Sequence, residues 1–318
     1  MIQGKNILIT GGTGSLGQAL TKKLLTLNPR VIRIFSRNEN NQINMKNEFN
    51  DKRLTFLIGD IRDKERLKRA VEGIDIVIHT AALKHIDVGE YNPFEFIKTN
   101  IDGSQNVVDV CMDEEVEILL GVSTDKAVSP LNLYGATKLT MEKLIIAANH
   151  YKGKRKTKFC CVRYGNVFGS SGSVIPKFVE QIQHENSITV TDLSMTRFNI
   201  EMNDALNLIL DALKITRGGE VFIPKLKSYV LSDLVKAFQI ISKVKFKIKK
   251  IPVRSGEKFH ELFLGIAEIP YTTESKNIYI LNSSRIEISG NPSKHHSKIK
   301  ILDSKDLSSE YSQKLTSS

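Results

Sequence analysis

Short apolar runs alternate with longer amphipathic segments through the first half of the chain. Runs rich in Ile, Leu, Val and Phe are typical of buried strands, and leucines three or four residues apart are typical of the buried face of a helix. The runs predict strands at 5–10, 31–35, 54–58, 75–79, 116–122 and 159–163, with helical segments between them. This alternation predicts an α/β fold built on a doubly wound parallel sheet.

After the sixth predicted strand the regular alternation fades, which indicates a second region. We expect a dinucleotide-binding domain over residues 1–168 and a smaller, C-terminal substrate-binding domain over residues 169–318. A helix at 204–215 and a strand at 220–223 would return the chain to the first domain within 200–224.

Glycines recur at Gly11, Gly14 and Gly17, between the first predicted strand and the first predicted helix. A turn without side chains lets a pyrophosphate approach the backbone N–H groups at the start of a helix. A glycine motif alone is a weak signal, but a strand before it and a helix after it are the context that a dinucleotide site requires. The loop therefore predicts dinucleotide binding.

The end of the second strand predicts which dinucleotide binds. A carboxylate there suits the ribose 2′-hydroxyl of NAD, whereas an arginine suits the 2′-phosphate of NADP. The chain has Ser36 and Arg37 at this point, which favours NADP, and Glu39 stays open as a ribose ligand or an outward loop carboxylate. Asp60, just past the third strand, is placed to meet an adenine edge, although a helix N-cap accounts equally well for one of the aspartates there.

The segment from Val122 to Lys138 carries the candidate chemistry. Its pattern predicts a strand end, a loop containing Pro130, and a helix that begins at Tyr134. Tyr134 and Lys138 are four residues apart and share one helix face. A lysine ammonium beside a phenol favours the phenolate, which would let Tyr134 remove a hydroxyl proton near neutral pH. The pair predicts oxidation of an alcohol.

Composition narrows the class of protein. The chain has 318 residues, 41% of them hydrophobic, and three cysteines, so it can bury a full core and is expected to be a reduced, cytoplasmic protein. No apolar run is long enough to cross a bilayer and the N-terminus leads directly into a strand, so we expect neither a membrane contact nor a signal peptide. Cys160 and Cys161 point to opposite faces of one strand and cannot chelate a metal together, and no metal site is expected.

The formal net charge of +11 raises the question of nucleic-acid binding. Between Lys243 and Lys249, however, lysines alternate with apolar residues, which predicts an amphipathic strand with its lysines in solvent. We therefore expect no nucleic-acid partner, and a positive field would instead favour an acidic small substrate. From about Ser283 the chain becomes rich in Ser and Lys, and the stretch 308–318 is expected to be disordered.

Several motifs together resemble the extended short-chain dehydrogenases/reductases, and among them the inverting UDP-N-acetylglucosamine 4,6-dehydratases of pseudaminic acid biosynthesis. The resemblance covers roughly residues 4–280 and rests on Thr-Gly-Gly-Thr-Gly-Ser-Leu-Gly (10–17), Ser-Arg (36–37), Ala-Ala-Leu-Lys-His (81–85), Ser-Thr-Asp-Lys-Ala (123–127), Tyr-Gly-Ala-Thr-Lys (134–138), Arg-Tyr-Gly-Asn-Val (163–167), Met-Thr-Arg-Phe (195–198) and Arg-Ser-Gly-Glu-Lys-Phe-His-Glu (254–261). The chain departs from the family at Asn41, Asn199 and Ser255, where a lysine, an aromatic residue and a proline are common.

The resemblance implies a role for each residue of the central segment. Removal of water across C5 and C6 of a hexose requires oxidation at C4 first, because the ketone acidifies the C5 proton. Tyr134 would be the base of the oxidation, with Thr124 as its hydrogen-bonding partner and Lys138 as electrostatic support. Lys126 would remove the C5 proton, and Asp125 would protonate the leaving hydroxyl.

The resemblance also implies the ligand contacts and the assembly. The substrate would be a UDP-sugar, the cofactor NADP, and the protein a homo-oligomer such as a hexamer. The substrate contacts would be Lys84, Asn166, Arg197, Arg254 and Glu257, with the two arginines on the diphosphate. The NADP contacts would be Gly11, Thr13, Gly14, Ser15, Leu16, Gly17, Ser36, Arg37, Asp60, Ile61, Ala81, Ala82, Lys84, Thr99, Tyr134 and Lys138.

Two alternatives stay open on the sequence. One is another nucleotide-sugar enzyme of this fold, a 4-epimerase or a retaining 4,6-dehydratase; the other is a non-catalytic dinucleotide-binding sensor or a nucleic-acid-associated protein. In the family picture simple epimerases lack the Asp125–Lys126 couple, and retaining dehydratases often carry Asp-Glu there. Sensors characteristically lose the tyrosine or the lysine that this chain keeps at Tyr134 and Lys138. The resemblance therefore implies a dehydratase that inverts C5.

Overall fold

The structure is a computed structural model, in which residues 1–170, 173–242 and 244–283 are described. In the first half of the chain, strands and helices alternate as the apolar pattern predicts. The strands are β1 (Asn6–Thr10), β2 (Val31–Ser36), β3 (Leu54–Ile58), β4 (Ile76–His79), β5 (Ile118–Thr124) and β6 (Lys158–Tyr164). The helices are α1 (Ser15–Leu25), α2 (Glu39–Phe49), α3 (Lys64–Val71), α4 (Ile86–Tyr91), α5 (Pro93–Phe96), α6 (Gly103–Asp113) and α7 (Leu133–Tyr151).

In the second half of the chain, the described residues form eight further strands and three further α-helices. The strands are β7 (Asn166–Val167), β8 (Ser187–Val190), β9 (Thr196–Ile200), β10 (Glu220–Pro224), β11 (Ser228–Val230), β12 (Lys247–Lys250), β13 (Thr272–Glu274) and β14 (Ile278–Asn282). The helices are α8 (Val174–Glu185), α9 (Met202–Ile215) and α10 (Leu231–Ser242). No helix in the described ranges is both long enough and apolar enough to span a bilayer.

The central sheet has nine strands, in the order β13-β14-β10-β6-β5-β4-β1-β2-β3. From β3 to β10 every neighbouring pair is parallel, which confirms the doubly wound parallel sheet. β14 and β13 run antiparallel and close the edge beside β10, which the sequence did not predict. The carboxyl ends of β1, β4, β5 and β6 meet at one edge, where doubly wound sheets bind their ligands.

Apolar side chains cover both faces of the sheet. Leu8 lies in the cluster that packs against α3, α6 and α7, and its neighbour Ile7 lies in the cluster that packs against α1 and α9. Cys161 and Cys160 likewise fall in different clusters, as expected of adjacent residues in one strand. Both cysteines are buried and free, so they fill the core.

Outside the central sheet, β7, β9 and β11 form a three-stranded sheet and β8 pairs with β12. A small separate core is formed there by Phe178, Ile188, Val190, Val235 and Phe246. α9 packs on the central sheet and β10 belongs to it, whereas the division of the chain into two domains stays a prediction.

The prediction of an amphipathic strand from Lys243 to Lys249 is wrong in part. The ladder starts only at Lys247, Phe246 is the one buried apolar residue of the described stretch 244–249, and Ile248 is 43% exposed. The strand pairs with β8 alone and both of its faces stay in solvent. Lys243 and the stretch 308–318 lie outside the described residues.

The helical segment that begins at Pro93, between β4 and β5, changes its hydrogen-bonding pattern part-way. α5 passes into a π-helix, Ile97–Asp102, which passes into α6. A π-helical segment inside a helix frequently marks a functional site. Here it buries Thr99 and Asn100, and the Asn100 side chain accepts from the Leu83 backbone N–H and donates to the Leu83 carbonyl, which fixes the loop after β4.

Candidate active site

A cavity of about 660 Å³ opens at the carboxyl ends of β1, β4, β5 and β6. Its volume is in the range of small-molecule and cofactor sites. It is lined by every residue predicted to contact the dinucleotide: Gly11, Thr13, Gly14, Ser15, Leu16, Gly17, Ser36, Arg37, Asp60, Ile61, Ala81, Ala82, Lys84, Thr99, Tyr134 and Lys138. Thr124, Lys126, Asn166 and Arg254 also line it, whereas Asp125, Arg197 and Glu257 lie outside the lining.

The loop between β1 and α1 needs its glycines for conformation and for close packing. Gly11 has a φ of +68°, and a Cβ there would lie 2.8 Å from the Ala81 backbone. A Cβ on Gly17 would lie 2.4 Å from the Gly12 carbonyl oxygen. The start of α1 therefore packs directly against the glycine loop, and its N-terminal backbone faces the cavity through Gly14 and Ser15.

Two buried hydroxyls in the cavity wall fit a hydroxyl-rich ligand. Thr99 Oγ1 and Ser123 Oγ have no hydrogen-bond partner among the described residues, and both residues line the cavity. An unsatisfied buried hydroxyl is costly, and a ribose or a carboxamide would satisfy it. In the described ranges, no group of three or more His, Cys, Asp and Glu side chains is arranged to hold a metal ion.

Arg37 lies at the cavity wall just after β2. Its side chain is 55% exposed and its Nη1 is 3.8 Å from the Asp60 carboxylate. Asp60 is held more closely by Arg62, which donates to it at 2.9 and 2.7 Å. The N-cap of α3 is Asp63, so Asp60 is the aspartate that faces the cavity. The weakly paired Arg37 guanidinium can turn to an anionic ligand.

Tyr134 and Lys138 lie on the first turns of α7, as predicted, but the electrostatics differ from the expectation. Lys138 Nζ donates to the Val122 carbonyl at 2.6 Å, and burial lowers the pKa of its ammonium to about 8. Burial raises the pKa of the Tyr134 phenol, and the largest opposing effect is the charge of Lys126. Lys138 is not the group that favours the phenolate here, because its ammonium is directed to a backbone carbonyl and the phenol is desolvated.

Asp125 and Lys126 lie in a short 3₁₀ turn, Asp125–Ala127, directly after β5. Lys126 Nζ donates to Asp125 Oδ1 at 2.9 Å and to Asn166 Oδ1 at 3.1 Å. Asp125 is fully buried and the Lys126 side chain is 16% exposed, so they are not a surface ion pair. Burial alone would lower the pKa of Lys126, but the carboxylates of Asp125 and Glu261 raise it. Asp125 Oδ2 is buried without a hydrogen-bond partner in the described part of the chain.

The predicted substrate contacts separate into two groups. Arg254 and Lys84 line the cavity; Arg254 is 3.3 Å from the Asp87 carboxylate, and burial lowers the pKa of Lys84. Arg197 and Glu257 lie behind the wall, where they pair with each other at 3.2 Å. Arg197 also donates to two backbone carbonyls. These two residues therefore brace the wall in this structure.

Two buried residues beside the turn Asp125–Ala127, here named the catalytic turn, were not predicted as site residues. Glu261 Oε1 lies 3.8 Å from Lys126 Nζ. Lys258 Nζ lies 3.5 Å from Glu261 Oε2 and donates to the Val128 carbonyl at 2.5 Å. Both residues belong to the stretch 254–261 that carries part of the family resemblance, but nothing in the sequence indicates that this stretch packs against the turn after β5.

Comparison with known proteins agrees with this geometry. A model of the polysaccharide biosynthesis protein family matches residues 7–283. The chain belongs to this family. A family relative, the inverting UDP-N-acetylglucosamine 4,6-dehydratase of Campylobacter jejuni, is 46% identical over 286 residues, which are 89% of this chain and 84% of that protein. A second, UDP-glucose 4-epimerase of Rickettsia bellii, is 40% identical over 283 residues, 88% of this chain and 83% of that protein.

The fold of this chain also has a close counterpart among solved structures. The X-ray structure of Pen from Bacillus thuringiensis superposes with a TM-score of 0.87 at 44% identity, over 89% of this chain and 90% of that one. The identity to the Campylobacter jejuni protein confirms the resemblance to the inverting UDP-N-acetylglucosamine 4,6-dehydratases.

Proposed function

We propose that the protein is an NADP-dependent UDP-N-acetylglucosamine 4,6-dehydratase that inverts C5, giving UDP-2-acetamido-2,6-dideoxy-β-L-arabino-hexos-4-ulose. The observation that carries this function is the buried Asp125–Lys126 pair, joined at 2.9 Å beside the cavity that Tyr134 and Lys138 line. A dehydratase needs a base for a carbon-bound proton and an acid for a leaving hydroxyl, in addition to the base for oxidation. The pair supplies both groups.

The cavity residues suit a nicotinamide dinucleotide. The glycine loop and the start of α1 would hold the pyrophosphate, the unpaired hydroxyls of Thr99 and Ser123 would bond to ribose or carboxamide groups, and Arg37 would hold a 2′-phosphate. When bound, the oxidised dinucleotide accepts a hydride from a carbinol carbon and can return it. Tyr134 takes the hydroxyl proton at C4, with Thr124 beside it.

The Asp125–Lys126 pair can perform the elimination without a proton from outside. Transfer of one proton along their hydrogen bond leaves an amine on Lys126 and a carboxylic acid on Asp125. The amine removes the C5 proton, which the C4 ketone has acidified, while the acid protonates the C6 oxygen, which leaves as water. Lys126 then carries a proton and Asp125 has lost one, so the pair returns to the ion pair from which it started. The product is completed when C6 receives the hydride taken from C4 and C5 receives a proton from Lys126, which has exchanged with solvent, on the face opposite to the one that lost its proton.

The deciding experiment is incubation of the purified protein with UDP-N-acetylglucosamine, followed by mass spectrometry and proton NMR of fresh product. We expect the loss of one water and couplings of the L-arabino ketosugar. In D₂O one solvent deuteron should appear at C5, and a deuterium at C4 of the substrate should migrate to C6. Couplings of the D-xylo ketosugar would overturn inversion and the role of Lys126.

Variants separate the two half-reactions. Tyr134→Phe should slow turnover by roughly a hundredfold or more while cofactor binding persists, because the phenol's proton transfer is lost. Lys126→Ala should stop the reaction at or before elimination. Full activity of Tyr134→Phe would show that another group is the base of the oxidation.

A second candidate is 4-epimerisation, which the 40% identity to a UDP-glucose 4-epimerase favours. Epimerisation needs oxidation and reduction at C4 but no acid–base couple at C5 and C6. It predicts a product of unchanged mass that Lys126→Ala still forms. The same mass spectrum therefore distinguishes the two candidates.

The family resemblance supports two further parts of the proposal. The ketosugar would serve the synthesis of a pseudaminic acid-type sugar, and the protein would assemble as a homo-oligomer such as a hexamer. Light scattering of the purified protein measures the assembly directly, and a monomer at micromolar concentration would contradict it.

A further inference from the structure

The catalytic turn is held from one side by a distant segment of the chain, residues 254–261, here named the strap. Asn132 Nδ2 donates to the Gly256 carbonyl at 2.9 Å. Lys258 Nζ donates to the Val128 carbonyl at 2.5 Å. A Cβ on Gly256 would lie 2.7 Å from the Asn132 Cβ, so the backbones are in direct contact. The strap therefore packs against the loop that joins the catalytic turn to α7.

The end of the strap places a second carboxylate beside Lys126. Glu261 is 3% exposed, with Oε1 3.8 Å from Lys126 Nζ and Oε2 3.5 Å from Lys258 Nζ. The charges alternate in sign from Asp125 through Lys126 and Glu261 to Lys258. A buried ion is costly unless its partners hold it in good geometry, so removal of one member affects the position of the next.

We propose that Glu261 and Lys258 are positioning residues for the elimination step. Glu261 holds the Lys126 nitrogen at a fixed place beside Asp125. Lys258 holds both Glu261 and the backbone at Val128, directly after the catalytic turn. Neither residue lines the cavity, so both act through Lys126. This inference rests on the proposed dehydratase function.

The strap also connects the acid–base pair to the predicted diphosphate contact. Arg254, at its first position, lines the cavity, and Glu261, at its last, lies next to Lys126. Binding energy from a part of the substrate that does not react can serve to orient the reacting groups. A diphosphate held by Arg254 would stabilise the strap and, through Glu261, the place of Lys126.

The test compares Glu261→Gln and Lys258→Met with the wild-type holoenzyme, loaded with NADP⁺ and given UDP-N-acetylglucosamine. Oxidation at C4 should persist while release of dehydrated sugar slows by about tenfold to a hundredfold, the effect of a small misplacement of a reacting group. Reduced-nicotinamide absorbance should then accumulate, and KM should change less than about twofold, a shift too small to indicate altered binding. Glu261→Asp, which keeps the charge, should recover part of the elimination rate.

Glu257→Gln is the matched control, because Glu257 lies on the strap but pairs with Arg197. Its effect should fall on KM, with the ratio of the elimination rate to the oxidation rate unchanged. Proportional loss of both steps in Glu261→Gln, or loss of neither, would overturn the positioning role. If Glu261→Gln fails to fold, Glu261→Asp and Lys258→Arg carry the same comparison. A wild-type protein that releases no dehydrated sugar would instead overturn the proposed function.

Discussion

Lys126 and Lys138 line the same cavity and have opposite pKa shifts. Burial lowers the pKa of Lys138 to about 8, and no carboxylate of the described residues is hydrogen-bonded to its ammonium, which donates to the Val122 carbonyl. Lys126 is also desolvated, yet two carboxylates raise its pKa above the ordinary value. The same residue type therefore has two protonation behaviours: Lys138 loses its charge near pH 8, whereas Lys126 is held as an ammonium and becomes a base in the proposed elimination only by passing its proton to Asp125.

The raised pKa of Tyr134 predicts a pH dependence of the oxidation. The phenolate is the base, and burial raises the pKa of the phenol, so the rate of C4 oxidation should rise with pH through the neutral range. Single-turnover formation of reduced nicotinamide across a pH series measures this rate. Tyr134→Phe should lose this rise. A rate that falls through the same range would contradict the role of Tyr134 as the base.

The exposed guanidinium of Arg37 predicts the cofactor preference. Arg37→Ala should weaken NADP binding by about tenfold to a hundredfold and NAD binding far less, because a charged hydrogen bond contributes about 1.5–3 kcal/mol. Arg62→Ala is the control, since Arg62 binds the same aspartate but does not line the cavity. Titration of both dinucleotides checks this, and equal losses in Arg37→Ala would show that NADP is not selected there.

The residues that the sequence could assign lie in short contiguous motifs. In the glycine loop and the Tyr134–Lys138 pair, the spacing of residues in the sequence is enough to predict which of them lie together, because the residues share one turn or one helix face. Glu261 and Lys258 could not be found in this way, because their contacts with Lys126 and Val128 exist only after distant segments have packed. The prediction that Lys138 lowers the pKa of Tyr134 was wrong for the same reason, because the burial that raises this pKa exists only in the folded chain.

At the scale of elements, the start of α7 packs tightly against the catalytic turn. A Cβ on Gly135 would lie 2.2 Å from the Lys126 carbonyl oxygen. Gly135→Ala should therefore displace the turn, lowering turnover at least tenfold and the free energy of unfolding by about 1–3 kcal/mol.

The control for Gly135→Ala is Gly265→Ala, where the nearest atom to a new Cβ is 3.7 Å away. Thermal unfolding and turnover of the two variants should be measured together. Wild-type turnover in Gly135→Ala would show that the contact between α7 and the turn can relax.

Elements with long apolar runs were predicted well, and those without them were not. β1 to β6 lie within two residues of the predicted strands, because parallel strands buried on both faces are continuous apolar runs. β13 is a three-residue strand with two exposed residues, too short for any period to be visible. The π-helix differs from an α-helix in which backbone groups are hydrogen-bonded, and the pattern of apolar and polar side chains does not show this difference.

At the scale of the whole molecule, a buried histidine joins β1, β4 and α6. His79 Nδ1 lies 2.7 Å from the Thr10 hydroxyl and Nε2 lies 3.0 Å from the Ser104 hydroxyl. Burial lowers the pKa of His79 to about 3. The folded protein thus holds a neutral ring at a pH where the unfolded chain is protonated.

This histidine predicts a loss of stability in acid. The unfolded chain takes up the proton near pH 6.5, so the free energy of unfolding should be highest above that pH and fall by at most about 1.4 kcal/mol per pH unit towards pH 3. His79→Gln should be less stable at neutral pH but show a shallower acid dependence. Urea unfolding at several pH values measures both slopes, and parallel curves would assign the acid loss to other groups.

The antiparallel closing strand has a consequence for how the protein is made. β10 is buried along its whole length, and among the residues that the structure describes its outer edge pairs with Ile278–Asn282 of β14 alone. On the ribosome, the glycine loop, the catalytic turn and β10 all emerge before that cover exists. Until it arrives, β10 presents unpaired N–H and C=O groups beside apolar side chains, which is the usual template for aggregation. A chain cut before Ile278 would therefore keep every residue assigned to the chemistry, but its β10 edge would be unpaired and able to aggregate.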